Sequence, residues 1–188
     1  MTTHIDSRIS KGELDQLTDQ LNITTLDDRP TFFTDDKQPI RAAGILCYVF
    51  DYKSKNRIWL FRKQNGKFSD TGGKTSIVDK SPVDTAIRET VEETNGHLFS
   101  KRHSRKYCES ILRRHLRKQR LKPIYNKYGK YLLYFFELNW YNFKLSLFRF
   151  GTKEIGNGDK EHSYHWKDIF PSRNDIHRRL IGYDIFLK

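Results

Sequence analysis

The chain has 188 residues, enough for one domain with a sizeable core, and no stretch approaches the ~18 consecutive apolar residues that a membrane-spanning helix needs. Lys and Arg outnumber Asp and Glu by 35 to 23, a net charge of +12, and so basic a domain points to phosphate-rich partners, nucleic acid above all. Cys47 and Cys108 stand isolated, which excludes a disulfide framework and a cysteine metal cage; a reducing, cytosolic setting without a membrane partner is expected. The N-terminal residues show neither a signal-peptide core nor a transit pattern.

Residues 1–38 read as a polar extension, with a short helix over Glu13 to Leu21 that aligns Leu14, Leu17 and Leu21. Arg41 to Tyr52 is a buried strand, Lys53 to Asn56 a turn, and Arg57 to Gln64 a partner strand, so this region is a hairpin. A turn at Asn65-Gly66-Lys67 leads to Phe68-Ser69-Asp70 and the pair Gly72-Gly73. A helix then runs from about Pro82 to Thr94, with Ser81 as N-cap, Pro82 at the first position and Asp84 completing an S-x-x-D capping pattern. Lys101 to Lys122 is predicted as a second helix, with Tyr107, Ile111, Leu112 and Leu116 as its apolar stripe. It holds ten Lys and Arg against Glu109 alone. Lys130 to Asn139 is a strongly apolar strand, and the aromatic-rich stretch Tyr131 to Trp140 is more a core element than a base-stacking platform. Phe143 to Phe150 alternates as a half-buried strand should. A polar loop, Gly151 to Asp159, precedes Glu161 to Trp166, and a final helix is expected to start near Arg173.

The densest signal lies between Gly73 and Gly96. Glu89, Glu92 and Glu93 recur at i, i+3 and i+4, within one sector of a helix at ~100° per residue. Val83, Ile87 and Val91, with Thr90 and Thr94, fall on the other side. By itself this spacing also fits a solvated helix face. Three carboxylates this close nevertheless repel unless a positive partner sits among them, and hard oxygen ligands suit Mg²⁺ or Mn²⁺. The context is more specific: Gly73-x5-Asp79-x8-Arg88-Glu89-Thr90-Val91-Glu92-Glu93-x2-Gly96 resembles the Nudix box, G-x5-E-x7-R-E-U-x-E-E-x-G-U with U aliphatic. Arg88, Glu89, Glu92 and Glu93 match in register. Asp79 replaces a Glu with one extra residue before the helix, Thr90 replaces an aliphatic residue, and Asn95 is inserted before Gly96. Either Asn95 or Gly96 fits the left-handed conformation that ends a helix.

The resemblance implies an α+β fold, a Nudix-type α/β/α sandwich with a mixed central sheet, over residues 39–188, with 101–122 as a basic insertion. It implies hydrolysis of a nucleoside diphosphate linked to another group. Mg²⁺ or Mn²⁺ would be held at Glu89, Glu92 and Glu93, and Arg88 would fix the carboxylates. Gly72 and Gly73 would let backbone approach the phosphates, and Lys74 and Arg62 would meet them. The general base is either a box carboxylate or a later loop Glu, Glu161 first and Glu154 as competitor. His103, His115, His162 and His165 form no zinc pattern. Three substrate readings stand. The first is capped RNA, as in decapping Nudix enzymes including those of large DNA viruses, with Arg113, Arg114, Arg117 and Lys118 as an RNA track. The second is a small molecule such as ADP-ribose, a dinucleoside polyphosphate, a damaged nucleotide or a diphosphoinositol phosphate. The third is a non-catalytic module that binds nucleotide or RNA, against which the complete glutamate set argues.

Overall fold

The structure, a computed structural model, describes residues 28–183 except 101–103, 119–120, 145 and 155–156. The helix expected over Glu13 to Leu21, and Lys101, Arg102 and Arg120 of the basic segment, lie outside the described residues. β1 (Phe32–Phe33) and β2 (Pro39–Ile40) pair as a small hairpin that straddles position 38. The main sheet is built on β3 (Ala42–Asp51), whose unbroken apolar run suits a strand covered on both faces. β4 (Asn56–Gln64) returns antiparallel to it. Asn65 and Gly66, both with positive φ (49° and 76°), turn the chain into β5 (Lys67–Ser69), which pairs with β4 as the Asn-Gly signal requires. β6 (Thr71–Lys74) pairs with the first half of β3, and β8 (Tyr131–Glu137) runs parallel to β3 on its other side. β7 (Ile124–Asn126) and β11 (Ser163–Lys167) close the two edges, giving the order β11-β4-β3-β8-β7. The sheet is therefore mixed and the fold α+β.

Alternation along β3 sorts the core. Ile45, Cys47 and Val49 face one side, under α1 (Pro82–Glu93) and α2 (Arg105–Leu116). Leu46 and Tyr48 face the other, against Trp59, Phe61, Leu133, Phe135 and the C-terminal segment around Ile176 and Leu180. Burial pushes the Cys108 thiol up to about 12 and the Cys47 thiol higher still, so neither is a nucleophile. Among the described residues no helix is long and apolar enough to cross a membrane.

Three expected elements change. The basic helix is shorter, because Ser104 caps it by accepting from the Tyr107 N–H at 3.2 Å. Its buried stripe is Cys108, Leu112 and Leu116, while Tyr107 is 46% exposed. The strand expected over Phe143 to Phe150 is instead the end of α3 (Trp140–Lys144) followed by a 3₁₀ turn, Leu147–Phe150, capped by Ser146. Phe143, Leu147 and Phe150 face the core at i, i+4 and i+7, a helical spacing that the alternation concealed, and Phe148 points to solvent. No helix starts at Arg173: 173–175 is a turn, and a 3₁₀ turn, Arg178–Leu180, follows. β9 (Lys153–Glu154) and β10 (Asn157–Glu161) pair as a separate two-stranded sheet.

Candidate metal and diphosphate site

α1 lies across β3 and β6, and its placement begins with its ends. Ser81 accepts from the Asp84 N–H and donates its hydroxyl to the Asp84 carboxylate. At the other end Asn95 and Gly96 both take positive φ, 54° and 72°, and the Gly96 N–H bonds the Val91 carbonyl at 2.7 Å. Thr90, the polar substitute for an aliphatic residue, is fully buried and meets the Thr71 hydroxyl at 2.8 Å. Thr71 in turn donates to the Ile45 carbonyl, so the polar change is matched from the sheet.

Arg88 is the hub. Its Nη1 donates to Glu89 Oε1 (2.9 Å) and Glu92 Oε2 (3.0 Å), its Nε and Nη2 grip both oxygens of Asp79 (3.0 and 3.1 Å), and Nη2 also reaches the Lys74 carbonyl. These surroundings, the Asp79 bonds foremost among the favourable ones, hold the guanidinium charged against its desolvation. Asp79 also accepts from the Ser76 N–H and the Thr85 hydroxyl. The shorter acid at this position is thus a buried lock on Arg88 and on the loop before α1. Glu93 is buried between sheet and helix, accepting from the Gly72 N–H at 3.1 Å and pairing with Arg62 at 3.0 Å. Burial, reinforced by Glu89 and Asp70, raises its pKa well above the ordinary value, although Arg62 and Arg179 oppose the rise.

Two expectations change here. Arg62, expected at substrate phosphates, is 5% exposed and serves Glu93 instead; strand alternation carries the signal, since it puts Arg62 on the core face with Ile58 and Leu60. Gly72 and Gly73, expected to let backbone approach the phosphates, have another use. The Gly72 N–H is already given to Glu93, and a Cβ there would lie 2.5 Å from Gly44 Cα. A Cβ on Gly73 would lie 2.6 Å from Glu89 Oε1. These glycines let α1 and its carboxylates sit down on the sheet. Lys74 is exposed beside them. Glu161 is exposed at the end of β10, outside the main sheet, and among the described residues no hydrogen bond or ion pair joins it to the cluster.

A second arginine, which no sequence motif marks, completes the centre. Arg179 donates Nε to Asp70 Oδ1 (2.8 Å), Nη2 to the Asp70 carbonyl (2.9 Å) and Nη1 to the Gly72 carbonyl (2.6 Å), while Tyr131 donates its hydroxyl to Asp70. Asp70 is fully buried. The same residue that offers its N–H to Glu93 therefore has its carbonyl fixed by Arg179.

Among the described residues, this linked set includes Asp70, Asp79, Glu89, Glu92 and Glu93 together with Arg62, Arg88 and Arg179. Among the described residues no three acidic, His or Cys side chains converge on a point as a metal cage; the acids turn to the arginines instead. The donor set, hard carboxylate oxygens, suits a divalent cation such as Mg²⁺. Beside it, Val78, Asp79, Lys80, Arg88, Glu109 and Arg113 line a cleft of about 400 Å³.

α2 stands next to this cleft. Arg113, Arg114, Arg117 and Lys118 are all exposed, on the side of the helix away from Cys108, Leu112 and Leu116. Arg113 is committed in part to Asp84 of α1, at 2.5 Å.

No protein-family model matches the chain, and a search of curated proteins finds no match. Among solved structures, an Ap4A hydrolase binary complex from C. elegans is similar at 14% identity with a TM-score of 0.39, over 69% of this chain and 80% of that one. A MutT/nudix family protein from Enterococcus faecalis is similar at 14% identity with a TM-score of 0.35, over 85% of this chain and 56% of that one.

Proposed function

We propose that this protein is a divalent-metal-dependent pyrophosphohydrolase of the Nudix type, acting on a nucleoside diphosphate linked to another group, with capped RNA as the substrate. The observation that carries the reaction is the Arg88-centred cluster: one guanidinium bonds Asp79, Glu89 and Glu92 at once, and Glu93 is pinned alongside by Gly72 and Arg62. Glu89, Glu92 and Glu93 would hold Mg²⁺ or Mn²⁺, which when bound supplies charge neutralisation at the diphosphate and a more acidic water. The chain's own contribution is orientation. Arg88 keeps Glu89 and Glu92 in register, Asp79 keeps Arg88 in place, and Arg62 holds Glu93 against the sheet. Lys74 is assigned to a substrate phosphate. Glu161 is assigned as the base that takes the proton from water, with the box carboxylates as its alternative.

The RNA reading is supported by the exposed basic face of α2 beside the cleft, since an RNA body needs a track that a free nucleotide does not. The size of the cleft favours the second reading, a small nucleotide hydrolase.

The test is product analysis with Mg²⁺ or Mn²⁺ on capped RNA, cap dinucleotide, ADP-ribose and dinucleoside polyphosphates. Glu92→Gln and Glu93→Gln should lower kcat by roughly 10²–10⁴ while the chain stays folded. Full activity of both with Mg²⁺ would sink the mechanism. Glu161→Gln should lower kcat more than it changes KM and alter the acid limb of the rate–pH profile; an unchanged profile moves the base into the box.

A further inference from the structure

α2 is a ridge between two depressions. On one side Glu109 and Arg113 border the cleft that contains Arg88. On the other, Tyr107, Ile111, Arg114 and His115 form one wall of a groove of about 510 Å³, with Phe99 and Tyr141 among the facing residues. The groove continues into a depression of about 300 Å³ that shares His115 and the strand end Phe136–Asn139 and has Lys118 on its margin. None of these aromatic groups is required by the diphosphate site.

We propose that this groove binds the bases of single-stranded RNA. Three features point to that occupant. Its tyrosines are presented rather than buried: Tyr107 is 46% and Tyr141 67% exposed, and a tyrosine ring offers a flat face to any base. His115 is held ready, its Nδ1 3.0 Å from the Ile111 carbonyl and its ring edge-on to Phe136 at 5.7 Å. Arg114 and Lys118 lie along the groove where a phosphate backbone would pass; among the described lining residues Glu137 is the one acid, and it accepts from the Tyr48 hydroxyl. Aromatic faces with basic residues alongside are the combination by which single strands are held without sequence readout. A helix is only about 10–12 Å across, so a strand whose 5′ end lies at Arg88 crosses the basic crest of α2 and enters the groove within a short span. This inference rests on the RNA reading above and adds where the bases go.

Binding of a fluorescent ten-nucleotide single-stranded RNA, measured by anisotropy in EDTA, tests it without turnover. The double substitution Tyr107→Ala with Tyr141→Ala should weaken binding roughly 5- to 100-fold and leave the salt dependence unchanged. The corresponding Phe substitutions should bind as wild type. An abasic strand of the same length should bind wild type as weakly as intact RNA binds the double variant. Wild-type affinity in the double alanine variant, or equal binding of intact and abasic strands, overturns the proposal, as does equal competition by a polyglutamate peptide. If wild type binds RNA through Arg114, Arg117 and Lys118 but ignores the tyrosines, only the base groove fails. If wild type does not bind RNA at all, the RNA reading fails with it. Turnover of cap dinucleotide with Mg²⁺, which both tyrosine substitutions should leave intact, reports separately on the hydrolase.

Discussion

Arg62→Met removes the charge that faces Glu93 and keeps most of the side-chain stem. Both partners are almost wholly buried, at 6% and 3% side-chain exposure, and 3.0 Å apart. Removing one member of such a pair strands the other, a loss of about 3–5 kcal/mol, which in a domain of this size lowers Tm by about 6–20 °C. The pH dependence gives the sign. Burial already raises the Glu93 pKa, and Arg62 is the leading influence that lowers it, so without Arg62 it rises further. A carboxyl whose folded pKa exceeds its unfolded one binds the proton more tightly when folded. Stability is then lost as pH climbs from about 4.5, the ordinary value, through the raised one. The deficit of Arg62→Met relative to wild type should be smallest near pH 4.5 and grow as pH rises through the raised values. Urea denaturation at several pH values measures it, and Glu93→Gln completes a double-mutant cycle in which the Arg62 deficit should largely disappear. A deficit that does not grow with pH, or one equally large in the Glu93→Gln background, would refute the claim that Arg62 neutralises Glu93.

Two further outcomes follow from the site and the helix beside it. Gly73→Ala puts a methyl group against the Glu89 carboxylate, the movable end of a side chain; the fold should survive while kcat drops about 10²-fold, as for other small misplacements at a reacting centre, and unchanged kcat would mean that Glu89 is not held against the glycine. Replacing Arg114, Arg117 and Lys118 by Gln should reduce the slope of log K against log salt for single-stranded RNA by about 2, near 0.7 for each phosphate that is no longer neutralised. Adding Arg113→Gln should change the slope by less than one further phosphate would, because Asp84 already shares that charge.

The box was legible because its information is local. Arg88, Glu89, Glu92 and Glu93 sit within six residues, and Ser81, Pro82 and Gly96 mark the ends of their helix in a way that depends on backbone chemistry alone. The purpose of its glycines was not legible, since it depends on what lies above each one: Gly44 and Tyr131 over Gly72, Glu89 over Gly73. Asp70 and Arg179 lie 109 residues apart, and in a chain with 35 Lys and Arg nothing local distinguishes Arg179 from its neighbours. Phe143 to Phe150 misled because its five apolar positions in eight can be read with a period of two or with a helical one. Ser146, read as a cap, would have decided between them.

The grip of Arg179 on Asp70 and Gly72 also has a consequence in time. During synthesis the box emerges from the ribosome roughly eighty residues ahead of Arg179, about 4–16 s earlier at ordinary elongation rates. Throughout that interval the Gly72 strand lacks the partner that fixes its carbonyl, and the acids gathered around it have one cation fewer to balance them. The late turn at Arg178–Leu180 thus works as a closing clasp: a nascent chain, or one clipped ahead of this turn, carries every box residue and still has an unfinished centre.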